Sequence, residues 1–315
     1  MIGVKELYHL EPIYKSFIWA GRKLINRFHI ETDLDNVGTI YCAIALPGEL
    51  DNRVTETGQP LSEFYETHPE VFACDEEHFP IRMTVTCNEG FQSYQLHPDD
   101  EYALEHEGCR GKVSGAVALD ESEHVATWLF GHKAEDLDEF KQLVENKDWE
   151  NLFTTLEVKD GDFVHTPAGV IHGGEGGGTV SATFGTNGDI TYRFYDQDRN
   201  DPNRPLHLDD VYGCVHFPEV PFFAERPIPV QEGDLIRTDY HDVDGEYVAK
   251  RLKVNGQADY AYDTFFILTN VDGRGSVDGQ PLDLGHTVLV PANHGPVALE
   301  GTMDCIMISY HAKRA

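Results

Sequence analysis

The sequence predicts a mainly β protein, built as two copies of a jelly-roll β-barrel with a few short helices. Three observations lead there. From about residue 225 to 315 the chain alternates strand-like stretches with Gly/Asp turns and shows almost no helical spacing. A turn–strand–turn pattern occurs twice: Gly161, five residues, Pro167-Ala168, and again Gly285, five residues, Pro291-Ala292. Two polar clusters, Gln95-Leu96-His97 and Pro167-Ala-Gly-Val-Ile-His172, lie far apart in sequence but meet if the chain closes into a barrel.

The elements follow in order. Residues 1–60 mix short apolar stretches with turns. Leu61 to Ala73 reads as helical, with Leu61, Phe64, Tyr65, Val71 and Phe72 on one face and an interruption at Pro69. Phe79 to Thr86 and Gly90 to Gln95 are strand-like. Asp99 to His106 reads as a short helix, opened by Pro98 and stopped by Gly108. Ala116 to Phe130 reads as two strands around an acidic turn, Asp120-Glu-Ser-Glu123. Asp136, Leu137, Phe140, Leu143 and Val144 space like an amphipathic helix, which Trp149 to Leu156 is expected to continue. Val158 to Tyr195 is strand and turn. Pro202 to Pro221 is a proline-bearing connector with a short helix near Leu208–Tyr212.

Two domains are expected: 1–222, a barrel with helical insertions and the polar clusters, and 223–315, a second barrel. The second copy lacks a histidine equivalent to His172, since His294 is out of phase, so it is expected to hold no metal ligands.

Composition excludes several function classes. The chain has 315 residues, 40% hydrophobic and 25% charged, as ordinary globular proteins do. Its formal charge of −31 repels nucleic acid and anionic membranes, so neither is expected as a partner. An anionic metabolite would need a local basic pocket, drawn from only 24 Lys and Arg residues. No apolar run reaches membrane-spanning length, and the N-terminus has no signal-peptide layout. Six scattered cysteines with no CxxC read as free thiols of a reducing compartment, and the expected location is the cytoplasm.

On a strand, Gln95 and His97 point to one face and Leu96 to the other. Gly161 and Gly169 suit tight turns, and Pro167 fixes φ before the bend that precedes His172. Together they resemble the ligand elements of a metal-binding small β-barrel, a cupin. Neutral imidazoles suit Zn²⁺ or another divalent transition metal, and an amide oxygen is a weaker ligand. The bland alternative is a set of polar core groups bonded to backbone. Two histidines within this turn pattern favour the metal.

An ordered set of motifs makes the likeness specific. Trp19-Ala-Gly21, Phe79-Pro80-Ile, Gln95-Leu-His97-Pro-Asp-Asp-Glu-Tyr-Ala103, Gly111-Lys112, Gly161 through His172, Thr191-Tyr-Arg193-Phe-Tyr-Asp-Gln-Asp-Arg199 and Leu206-His207-Leu208 run in sequence from about residue 10 to 215. Together they resemble the type I mannose-6-phosphate isomerases, most closely the short bacterial form. The resemblance implies a zinc-dependent aldose–ketose isomerase acting on a sugar or sugar phosphate through an enediol. It puts Gln95, His97 and His172 on three zinc ligands, Lys112 on the lysine that lines the sugar pocket, and Arg193 on the active-site arginine.

The departures are equally specific. Where the family's Gly-Lys-x-Glu motif supplies a fourth zinc ligand, this chain has Ser114. Ten residues before the active-site arginine, where the family carries a glutamate that is a candidate proton-transfer base, it has Thr183. Where the family reads Gly-Glu-Ser-Trp, it has Gly38-Thr39-Ile40-Tyr41. Three carboxylates have become Ser, Thr and Thr. That motivates an alternative, a non-catalytic sugar-binding or regulatory homologue, and a third reading, a metal enzyme of another substrate class on the same barrel. Glu175, in a glycine-rich loop, and His165 are possible substitutes. Asp99, Asp100 and Asp189 read as caps of backbone N–H groups, and Asp196/Asp198 as an exposed pair within reach of Arg199.

Overall fold

The computed structural model describes residues 6–119, 125–219 and 222–312. Apart from a two-stranded ribbon, its strands form three antiparallel sheets. One sheet has six strands, in the order Phe163–Thr166, Ser114–Ala118, Val180–Thr186, Ile81–Cys87, Thr39–Ala43 and Ile13–Lys15. A second has five, Phe153–Val158, Ala126–His132, His172–Glu175, Phe91–Leu96 and Tyr192–Tyr195. These two sheets face each other across a cavity to which both contribute side chains.

The third sheet has nine strands. Most come from after residue 229, the longest being Tyr247–Tyr260, Phe266–Val277 and Val297–Ser309. Tyr8–Glu11 and Arg53–Val54 also belong to it: Tyr8 pairs with Leu289 and Leu10 with Thr287. Two short strands from within 1–222 thus pair into the sheet built mostly from 223–315. One face of this sheet encloses an apolar cluster that includes Leu252, Phe266, Leu268, Leu299 and Met307. The other packs Ala249, Phe265, Ile267, Leu289 and Ile306 into a core shared with Met83, Val85, Phe163 and Phe184 of the six-stranded sheet.

The sequence repeat has a structural counterpart. Gly161 and Gly285 both take left-handed backbone, φ 78° and 80°, which only glycine adopts without strain. Each opens a four-residue strand, and each Pro-Ala is followed by another positive-φ residue, Gly169 or Asn293.

Helices form where their signals are local. Leu61–Thr67 and Pro69–Phe72 are separated at the proline. Asp99 caps Asp100–Glu107 by accepting from Tyr102 N–H, and left-handed Gly108 ends it. Leu137–Glu145 starts on the Asp136 cap. The expected continuation from Trp149 to Leu156 fails: the helix covers only Trp149–Leu152, and Phe153–Val158 is a strand. Phe153, Leu156 and Val158 are buried there, and adjacent β-branched Thr154 and Thr155 favour the pleated surface. The acidic turn at 120–123 lies outside the described residues, though strands flank it on both sides. Among the described residues no helix is long and apolar enough to cross a membrane, and all six cysteines are free.

Candidate active site

The cavity between the two smaller sheets has a volume of about 280 Å³. Three adjacent strands of the five-stranded sheet build its floor. Gln95 is registered directly opposite His172 on one side and Arg193 on the other. The strand ends at Leu96, which turns into the apolar cluster behind the sheet, while His97 emerges beside Gln95 into the cavity. The His97 and His172 rings are 4.9 Å apart between centroids.

Each imidazole is oriented by backbone. His97 Nδ1 lies 2.8 Å from the Ile190 carbonyl and His172 Nδ1 lies 3.0 Å from the Val170 carbonyl. A carbonyl only accepts, so in each neutral ring Nδ1 carries the proton and Nε2 keeps its lone pair. Burial holds both rings neutral. His97 is pushed well below its ordinary range by burial, then by the Lys112 and His172 charges. His172 is pushed down to about 4, mainly by burial and secondarily by Lys112. Gln95 Oε1 accepts from Ser93 Oγ at 2.8 Å. Two neutral imidazoles with free Nε2 atoms and an amide oxygen fit a transition cation, and three protein ligands leave a coordination position open. Ser114 and Thr183 line the same cavity, so the two expected carboxylate positions face it without charge.

The opposite wall is basic. Lys112 is fully enclosed, and burial, reinforced by Arg82 and opposed by Asp189, pushes its ammonium down to about 7. Its Nζ is 3.9 Å from Asp189, which also pairs with Arg82. Burial works to raise the Asp189 carboxyl, but Arg82 and Lys112 outweigh it and hold the group below its usual range. Arg193 and Arg204 complete the basic lining. Arg193 Nε is buried without a hydrogen-bond partner among the described residues, as is Arg82 Nε. His207 pins the Arg193 strand from outside: Arg193 N–H donates to His207 Nδ1, and His207 N–H donates to the Arg193 carbonyl.

The chain is 30% identical over 313 residues to mannose-6-phosphate isomerase ManA of Bacillus subtilis, covering 94% of this chain and 96% of that protein. It belongs to the mannose-6-phosphate isomerase family. YvyI of the same organism, provisionally assigned the same activity, is 31% identical over 315 residues, 96% of this chain and 98% of that protein. The crystal structure of the B. subtilis mannose 6-phosphate isomerase superposes with a TM-score of 0.87 at 28% identity, over 96% of this chain and 99% of that one. A zinc-bound mannose 6-phosphate isomerase shares the fold, with a TM-score of 0.76 at 15% identity, over 97% of this chain and 99% of that one. No family model matches the chain.

Gln95, His97 and His172, expected from strand alternation and turn pattern, and Lys112 and Arg193, expected from the family likeness, all line one cavity. Three expectations need correction. Asp189 is no backbone cap; it is a cavity carboxylate held by Arg82 and Lys112. Asp196 is not exposed: it is buried between Arg199 and Arg204, at 2.6 and 2.8 Å, and only Asp198 keeps to the surface, on Lys147. His165 points away from the cavity. Thr166 lines the cavity, so Phe163 and His165, on the other face of that strand, turn to the nine-stranded sheet.

Arg82 escaped the sequence reading, although a signal for it existed. Arg82, Thr84 and Thr86 alternate with fully buried Ile81, Met83, Val85 and Cys87, and a polar face on a central strand marks an interior cavity. Trp19 borders the cavity too, stacked on Phe17 at 4.7 Å. Gly38 permits this, because a Cβ there would lie 2.6 Å from the Trp19 ring.

Proposed function

We propose that this chain interconverts mannose-6-phosphate and fructose-6-phosphate, an aldose–ketose isomerisation through an enediol. One observation carries the reading: the Gln95, His97 and His172 donors share a small cavity with Lys112 and Arg193, and the wall around them is basic in a chain of charge −31. A sugar phosphate is the anion such a pocket suits, and the buried, unpartnered Nε atoms of Arg82 and Arg193 are donors for its oxygens.

Gln95, His97 and His172 are proposed to hold a divalent transition cation of zinc type, which when bound supplies Lewis-acid polarisation of the sugar carbonyl and hydroxyl. Arg193, fixed by its strand and by His207, orients the substrate and stabilises oxyanion character as the enediol forms. Lys112, poised at about 7, is able to hold or release a proton near neutral pH. Thr183 cannot act as a carboxylate base. Among the described residues, Asp189, beside Lys112, and Glu175, whose side chain is exposed, are the carboxylates lining the cavity, and Asp189 is the one held in ion pairs. We assign the C2-to-C1 proton transfer to the Lys112–Asp189 pair. Free thiols agree with a cytoplasmic setting for such metabolism.

A coupled assay for fructose-6-phosphate production from mannose-6-phosphate by zinc-loaded protein tests this. Turnover that disappears in His97→Ala is expected. A metal-loaded protein without turnover above buffer would overturn the reading.

A further inference from the structure

Where the six-stranded sheet packs on the nine-stranded one, three metal-ligating side chains meet away from the cavity. His165 comes from the Phe163–Thr166 strand, His241 from the Leu235–Val243 strand, and Glu246 from the turn that leads into Tyr247–Tyr260. One donor atom from each lies within 4.8 Å of the other two. None of the three lines the active-site cavity.

The local structure explains the convergence. Alternation along the first strand turns His165 outward onto the neighbouring sheet. A register irregularity between Asp239 and His241 re-aims the second strand at this point. The His165 and His241 rings stack at 4.7 Å and 21°. His241 Nε2 is 2.9 Å from Glu246 Oε2, and His165 Nδ1 is 3.0 Å from the buried Tyr247 hydroxyl, which orients the ring. All three residues are half-buried, so an ion can reach them while water is partly excluded.

We propose that His165, His241 and Glu246 form a second cation site, taking a divalent ion of zinc type and clipping the two sheets together. Two imidazoles and one carboxylate are a donor set that zinc accepts, with water as a fourth ligand. Tetrahedral bonds of about 2.1 Å put ligand atoms about 3.4 Å apart, so the observed spread closes with side-chain adjustment of about an ångström. The carboxylate offsets one of the two cation charges, and a chain of charge −31 favours a cation at every such position. The site joins segments far apart in sequence, so bound ion stabilises the contact between sheets rather than either sheet alone.

The test is metal counting and thermal melting on chelator-stripped protein given Zn²⁺ alone. The wild type is expected to hold two equivalents. E246A and H165A should each lose one equivalent, and E246A should keep its mannose-6-phosphate turnover. H97A/H172A should retain one equivalent and still show a zinc-dependent rise in melting temperature, which E246A added to that background removes. The inference is overturned if E246A and H165A bind as much zinc as the wild type, or if H97A/H172A binds none. One equivalent in the wild type, lost in E246A but kept in H97A/H172A, would uphold this site and sink the active-site assignment instead. Glu246 lies in a turn, so E246A is the variant that keeps the fold intact should H165A fail to fold.

Discussion

Lys112 combines full enclosure, a cationic neighbour and a carboxylate 3.9 Å away, and at about 7 its ammonium changes state near physiological pH. Removing a group that moves a proton typically costs about 10²–10⁴ in rate. Lys112→Met is therefore expected to lower kcat by about that factor while leaving zinc content unchanged, read by the coupled assay and by metal analysis. The converse change adds charge: in the Lys112→Met background, Thr183→Glu should recover kcat by about 10²-fold, because that position already faces the cavity and can carry a replacement base. At this scale, short-range signals were readable in the sequence. The Gln95/His97 alternation and the Asp99 cap depend on neighbours within four residues. Arg199, three residues on, is legible as a partner for Asp196, but the settings of Asp189 and Asp196 also come from Arg82 and Arg204, which no local pattern places next to them. Arg82 lies more than a hundred residues before Asp189, and Arg204 reaches Asp196 across a loop.

At the scale of elements, the site depends on three strands holding register. Gly173 adjoins His172 with φ 130°, and a Cβ there would lie 2.1 Å from the Ser93 carbonyl oxygen. Gly173→Ala should spread the pairing that sets His172 opposite Gln95, so zinc affinity falls together with activity; equilibrium dialysis of Zn²⁺ checks it. In the nine-stranded sheet, buried Arg251 on Tyr247–Tyr260 donates three hydrogen bonds of 2.7–3.0 Å to Asp304 on the neighbouring strand. Asp304→Ala leaves that buried guanidinium with Asp160, at 3.4 Å, as its remaining ion-pair partner among the described residues, and is expected to cost about 3–5 kcal/mol in a denaturant titration. Element type was legible wherever periodicity was strong, and the Gly–Pro-Ala repeat located two equivalent strands. Trp149 to Leu156 misled because a helix and a strand adjoin there without a breaker between them.

For the whole molecule, acid is the sensitive direction. Burial depresses His165 and His172 to about 4 and holds His97 well below its ordinary range, whereas an unfolded chain takes up protons near 6.5. The folded state therefore binds fewer protons in between. Stability of metal-stripped protein should be intact above about pH 6.5 and fall as pH drops toward about 4, by up to about 3 kcal/mol for His172 alone. Thermal melts across that range check the slope; a melting temperature that stays flat there would contradict the burial argument.

The strand Tyr8–Glu11 finds its partner in Thr287–Val290. Leu10 and Thr287 meet although 277 positions separate them, so this pairing closes a very long loop. Arg53–Val54 covers one edge of Tyr8–Glu11 from nearby, but the other edge stays open to any strand, including one from another copy of the chain, until the distant partner arrives. Completion of the nine-stranded sheet is thus a late event in folding, set by the longest of its closures.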